Sequence, residues 1–351
     1  MISYLRLNNI MMKRCTYILP TNFAHEGIRL KVEGQLQALK KHFNISLHAL
    51  HYSKQQSKFR QLLEYFFYEF RTCFVLLFTP VLYIRYNPKL LFGNMLLPFF
   101  SYFKTIYVEH NTLMDTELIF LKRPFEHRIH RFTLGWFRFG NMTHIAVNNQ
   151  LKEHLEGLGL TRVTYIQNGY KAPDVSPDLV DQEIMDTFHS FKSSVTHCAI
   201  FTGNGYPWHG LTEIIEYLRQ FPDIGLVVVG PYDISSSKQI LSIQHCLSPT
   251  LVTLIESCDF AISTFRWDML EITEGSPLKS RQFLCHGCPI LVNYHDCAAD
   301  FEELKPYIVD FREHKEHSFS RISQLIVNKK DLIKNSRSLL SWDCFFDTLL
   351  S

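Results

Sequence analysis

The sequence predicts an α/β protein of two lobes, each built on a parallel β-sheet, and three observations carry that expectation. Strand-length apolar segments alternate with helix-spaced ones from residue 15 onward. The alternation breaks between residues 171 and 195, where Pro173, Pro177, serines and aspartates gather, and then restarts. At 351 residues the chain is long for one core and ample for two. The expected parts are an N-terminal lobe over 1–172, a C-terminal lobe over 173–335 and a terminal segment over 336–351.

Cys15 to Pro20 reads as a buried first strand. The polar loop Thr21 to Gly27 follows, and then Ile28, Val32, Leu36, Leu39 and Phe43 recur at helical spacing. Ile45, Leu47 and Ala49 alternate with polar residues as in a strand. A strand, helix and strand in that order need a crossover, which makes the two strands parallel. Residues 60–103 hold more Phe, Leu and Tyr than an amphipathic helix requires, and most of these Phe are expected in the core. Lys104 to Val108 reads as a strand leading into Glu109-His110-Asn111. Thr143 to Val147 is another, followed by a helix from Asn149 to Leu158, a strand from Val163 to Ile166 and the break Asn168-Gly169. Residues 171–195 read as the linker.

The second lobe opens with the strand Cys198 to Thr202 and the loop Gly203 to Gly210. Leu211, Ile214, Ile215 and Leu218 mark one face of a helix, and Leu226 to Val229 is an unbroken apolar strand closed by Gly230-Pro231. Such runs belong to parallel sheets covered on both faces.

With 46% hydrophobic and 20% charged residues the chain is globular, which excludes a disordered protein. The net charge of +2 conceals an asymmetry: residues 1–175 carry 22 Lys and Arg against 11 Asp and Glu, the remainder 14 against 23. A basic half joined to an acidic half points to an anionic surface or acceptor met by the first half, unless the charge merely drifts between domains. The longest apolar run, Thr72 to Ile84, is interrupted by Pro80 and is too short to cross a bilayer. Nine scattered cysteines and the lack of a leader-like apolar segment in residues 1–14 suggest a reduced, cytoplasmic protein.

The most informative segment is Glu271 to Pro289. Ser276-Pro277 reads as a helix start, Ser as N-cap and Pro at the first helical position; Gly287 with Pro289 reads as its stop. The free N–H groups of that start favour an anion. Lys279 lies in the first turn, where a cation gains nothing from the helix dipole but would hold a bound diphosphate. Gln282 shares its face, and Glu274 precedes the cap. A carboxylate, a cation and an amide are therefore expected to converge there; a well-capped surface helix with a solvated Lys is the plain alternative. In the first half, Gly27 lets a backbone approach a ligand, and His110 ends a strand where open α/β sheets place ligands. Arg85 and His25 are weaker candidates of the same kind.

Glu274 to Pro289 resembles the glycosyltransferase family 4 signature, in which two Glu lie on either side of seven residues ahead of a small-residue run and Gly-x-Pro. Glu274 is the first; Gln282 stands at the second, a departure. Cys198 to Leu211 is similar to the family's strand and phosphate loop, with Asn204 and His209 where the family usually has Arg and Lys. Family members with Pro-x-Lys at the later helix offer a precedent for Lys279 supplying the missing charge. Residues 145–169, Leu254 to Ser263 as the strand before the donor loop, and Trp342 of the closing helix add to the likeness. It implies a GT-B fold, two Rossmann-like domains facing each other across a cleft. It also implies a retaining sugar transfer from a nucleotide-diphosphate sugar to a hydroxyl of a glycan or lipid-linked glycan, of the bacterial lipopolysaccharide or capsule type.

On that reading Glu274, Lys279 and His110 act in catalysis. Gly27, Gly203, Asn204, His209, Ser276, Pro277, Leu278 and Gln282 bind substrate. No metal or other cofactor is expected: Cys285-x-x-Cys288 with His295 and Cys297 has ligand-like types but only one Cys pair. The expected partners are the donor, the acceptor and, through the basic and Phe-rich first half, an anionic membrane surface; nucleic acid is not among them. A catalytically inactive scaffold of a polysaccharide assembly complex and a nucleotide-sugar epimerase are the competing functions.

Overall fold

The structure is a computed structural model that describes residues 12–23, 26–51, 56–173, 176–325 and 328–350. The first lobe runs β1 (Arg14–Asn22), α1 (Glu26–Leu39), β2 (Asn44–Leu50), α2 (Lys58–Phe78), β3 (Val81–Arg85), α3 (Leu91–Phe100), β4 (Thr105–His110), α4 (Met114–Phe120), α5 (Pro124–Phe137), β5 (Thr143–Ala146), α6 (Asn149–Gly157) and β6 (Val163–Tyr165). These six strands form one parallel sheet in the order β2-β1-β3-β4-β5-β6. Tyr17, Ile18 and Leu19 of β1 are all buried, as are Leu82 to Ile84 of β3, so both faces of the sheet are covered.

The second lobe continues with α7 (Gln182–Ser193), β7 (His197–Thr202), α8 (Leu211–Leu218), β8 (Ile224–Val229), β9 (Ile240–Ile243), α9 (Ser248–Ser257), β10 (Phe260–Ile262), β11 (Glu274–Gly275), α10 (Leu278–Cys285), β12 (Ile290–Val292), β13 (His295–Asp296), β14 (Ile308–Asp310), α11 (Phe311–His314), α12 (Ser318–Ser323), α13 (Lys329–Leu339) and α14 (Trp342–Leu350). Its main sheet, again parallel, has the order β14-β12-β10-β7-β8-β9; β11 and β13 form a short pair apart.

Both orders reverse at their first strand. In an open α/β sheet the connections diverge to opposite faces at such a point and leave a crevice beyond the carboxyl ends of the strands. The crevices lie at β1/β3 and at β7/β10. From the closing helix α14, which packs against α1, Trp342 sits so close to Gly34 and Gly169 that an added Cβ there would stand 2.6 and 2.8 Å from its indole.

Four expectations change. The linker contains a helix: α7 buries Met185 and Phe188, and Asp181 caps it by accepting the Ile184 N–H at 3.2 Å. Leu254 to Ser257 ends helix α9, so only Phe260 to Ile262 is strand. Ser276 is not the cap of α10; Pro277, with extended ψ of 140°, is the last non-helical residue. Finally, Phe66, Phe67, Phe74 and Phe78, expected mostly in the core, are exposed. Among the described residues no helix is long and apolar enough to cross a membrane.

Candidate functional site

A cavity of about 570 Å³ lies between the lobes, where the two crevices meet. The first lobe contributes Gly27, Ile28, Leu30 and Lys31 from the start of α1, and Arg85 from the end of β3. The second contributes the loop after β7 with Gly203, Asn204 and His209, the turn after β8 with Gly230, the segment after β9 with Gln244 and His245, and Pro277, Leu278, Lys279 and Gln282 at the start of α10. Tyr170, Lys171 and Trp342 close it along the connecting chain. The charged residues of this wall are Lys31, Arg85, Lys171 and Lys279, with no Asp or Glu among the lining residues.

Lys279 is held at the second residue of α10. Its Nζ donates to the Thr202 carbonyl at 3.3 Å and lies 5.0 Å from the centre of the Phe201 ring. Among the described residues it forms no ion pair, and burial lowers its pKa from 10.5 to about 7. A buried ammonium without a counter-ion costs free energy that a bound anion recovers. His209 faces it, with Nδ1 3.1 Å from the Tyr232 hydroxyl. Burial, reinforced by the Lys279 charge, brings the imidazole pKa down to about 3, so it is neutral at physiological pH. The loop allows no side chain at Gly203, where a Cβ would overlap the Tyr232 hydroxyl and stand 2.5 Å from His209 Nδ1. Gly230, at φ 141°, closes against the Gly203 carbonyl for the same reason.

Across the cavity, Lys31 pairs with Glu109 at 2.7 Å and donates to Asn168 Oδ1 at 2.5 Å and to Asn111 Oδ1. Burial brings Lys31 down to about 8, against the pull of Glu109. Glu109 also accepts from Tyr83 and Gln35, each at 2.5 Å. Burial alone would raise its pKa, but Lys31 and Arg85 outweigh that and hold it at about 2. Arg85 adds a second cation beside this pair, and its buried Nη1 has no hydrogen-bond partner among the described residues.

Gly27, Gly203, Asn204, His209, Pro277, Leu278, Lys279 and Gln282 therefore come together, and Arg85 joins them. Three named residues do not. Glu274 turns its carboxylate to the first lobe, where Oε1 accepts from the Asn149 N–H and Oε2 from the Gln150 N–H, both at 3.0 Å. With Asn148 Oδ1 taking the Leu151 N–H at 2.7 Å, the first three amides of α6 are satisfied, and the dipole of that helix favours the charge. The expected convergence of Glu274 with Lys279 is thus replaced by a clasp between lobes. Ser276 is buried and spends its hydroxyl on the Asn168 N–H at 2.7 Å. His110 is also buried: it contacts His144 at 3.1 Å, packs against Tyr86 with the rings tilted, and lines a separate small pocket outside the cavity. Burial and the neighbouring histidines lower its pKa, which keeps it neutral. His25 lies outside the described residues.

Lys31 was missed, although its signal was present: it falls on the same face of α1 as Ile28, Val32 and Gln35, and a Lys on an apolar face is unusual. Glu109 adjoins a named residue but is recognisable only once Lys31 is placed. Cys285 and Cys288 are buried core thiols, Cys285 raised by burial to about 12. Among the described residues no three His, Cys, Asp or Glu side chains are grouped to hold a metal ion.

Two parallel Rossmann-like sheets with a cleft between their switch points define the GT-B fold, and solved structures of that fold match this chain almost end to end. Sucrose-phosphate synthase from Thermosynechococcus elongatus aligns with a TM-score of 0.64 at 10% identity, over 96% of this chain and 97% of its own. Trehalose-6-phosphate synthase OtsA gives 0.63 at 12%, over 96% and 98%. Anabaena HepE, in complex with UDP and glucose, gives 0.57 at 11%, over 97% and 98%. No family model and no curated protein matches.

Proposed function

We propose that this protein is a glycosyltransferase that binds a nucleotide-diphosphate sugar in the cavity between its lobes. The observation that supports this best is the charge of the cavity wall, four cationic side chains and no carboxylate among its described residues, with Lys279 in no ion pair among the described residues. Lys279, the first amides of α10 and the Gly203-Asn204 backbone hold the diphosphate, while Gln282 hydrogen-bonds a ribose hydroxyl. His209, neutral, adds a hydrogen bond and no charge. Gly27, Leu278 and Pro277 shape the walls around the phosphates.

In the transfer, an acceptor hydroxyl forms its bond to the anomeric carbon as the bond to the diphosphate breaks. The departing phosphate oxygen takes the hydroxyl proton, and Lys279 and the helix start stabilise the charge that develops. Retention of configuration, and a glycan or lipid-linked glycan of bacterial surface polysaccharide type as acceptor, come from the family 4 resemblance. The test is a panel of nucleotide sugars screened for thermal stabilisation, then incubated with candidate acceptors. Stabilisation by a nucleotide sugar with transfer supports the reading. Interconversion of the donor without any acceptor points to an epimerase, and no binding across the panel points to a scaffold.

A further inference from the structure

The first lobe carries an apolar face that no described residue covers. Among the described residues, nineteen of twenty-four exposed large apolar side chains lie between Phe59 and Phe139, which confines most of them to the first lobe. On α2 the exposed stripe Phe59, Leu63, Phe66, Phe70, Phe74 and Phe78 follows helical spacing, while Tyr68, Thr72 and Leu76 on the opposite face are buried. This helix is amphipathic with its apolar side turned outward. Packing of α3 against both α2 and α5 makes the surface continuous. Leu91, Phe92, Met95 and Phe99 extend it along α3, and Phe125, Phe132 and Phe139 along and just beyond α5. The layer is fixed rather than loose: Trp136 Nε1 donates to the Met95 carbonyl at 2.9 Å and the Tyr102 hydroxyl to the Phe139 carbonyl at 2.7 Å.

Charge identifies the occupant. Every exposed charged residue between Lys58 and Phe139 is Lys or Arg, nine in all, while the acidic residues of that segment are buried or half-buried. Arg60, Arg71, Arg128 and Arg138 form no ion pair among the described residues. A second copy of the chain would bring like charges together across a two-fold contact. An anionic bilayer meets both requirements, because Phe side chains insert to the acyl boundary while guanidinium groups sit at the level of the lipid phosphates. We infer that the α2–α3–α5 face docks this protein, without spanning, on a membrane surface rich in anionic lipid. The inference is independent of the proposed transfer reaction.

The test uses the full chain and vesicles of phosphatidylcholine, alone or with about one-third phosphatidylglycerol. Co-sedimentation is expected with the anionic vesicles only, and to fall steeply at about 0.5 M salt. Replacing Arg71, Arg128 and Arg138 together by Glu lowers partition by roughly a hundredfold, as does Phe66→Ser with Phe70→Ser and Phe74→Ser. An unchanged melting temperature and unchanged nucleotide-sugar binding qualify the variants as folded. The unmutated protein gives a second reading: phosphatidylglycerol brominated in its acyl chains quenches tryptophan fluorescence, and Trp136→Phe abolishes that quenching. Equal binding to neutral vesicles, no binding to either, or a dimer in sedimentation velocity that the serine replacements dissolve would overturn the inference.

Discussion

Replacing Lys279 by Met keeps most of the side-chain volume and removes the cation of the proposed donor site. Burial places its pKa near 7, so the ammonium is about nine-tenths charged at pH 6 and about one-tenth at pH 8. The phosphates of a nucleotide sugar are esterified and stay ionised over this range, and His209, held at about 3, stays neutral. If only the charged form of Lys279 binds the diphosphate, affinity falls about tenfold from pH 6 to pH 8, and binding at pH 8 takes up about one proton. A hydrogen bond to a charged group contributes about 1.5–3 kcal/mol, so Lys279→Met weakens binding at pH 6 by about ten- to a hundredfold. The variant also loses the pH slope. Isothermal titration calorimetry in buffers of differing ionisation enthalpy reads affinity and proton uptake together. A slope that persists in Lys279→Met belongs to another group, such as Lys31 at about 8 in the same wall, and would show that Lys279 does not carry it.

Three further outcomes follow from contacts around the cleft. Gly203→Ala displaces His209 and Tyr232 from the phosphate loop; overpacking of this kind costs about 1–3 kcal/mol, seen as a lower melting temperature together with weakened donor binding. Glu274→Ala uncaps α6 and costs about 0.5–2 kcal/mol in denaturant unfolding with nucleotide affinity held within about twofold. A collapse of affinity at unchanged stability would instead return Glu274 to the donor site. Gln282→Glu places a carboxylate at the proposed ribose contact and is expected to tighten nucleotide binding by about two- to tenfold, measured by calorimetry.

The alternation of strands and helices was legible in stretches, at β1-α1-β2, β4, β5-α6-β6, β7-α8-β8 and α10-β12, because period and punctuation are local properties. So was the grouping of Gly203, Asn204, His209, Lys279 and Gln282 on one cavity wall, since they lie on two short segments with their own turn and helix-start signals. What escaped depends on distant contacts. Glu274 reads as a free carboxylate until the start of α6, 125 residues earlier in the chain, is brought beside it. His110 ends a strand as expected, but its side chain packs with His144 and Tyr86 away from the cavity. In the apolar run from Thr72 to Ile84, helix α2 and strand β3 meet at Pro80, and residues apolar on both sides of it carry no period from which to tell helix from strand. Periodicity on α2 reveals an apolar face without saying whether the core or the surroundings receive it, and there the outward answer differs from the usual one.

If an anionic donor lies against the start of α10, a structure of the protein with the most stabilising nucleotide sugar shows it there. Diphosphate oxygens are then expected within hydrogen-bonding distance of Lys279 Nζ and of backbone N–H groups at Gly203 or Leu278, with the ribose beside Gln282. A nucleotide bound outside the cleft, or bound within it with its phosphates turned away from Lys279, contradicts it.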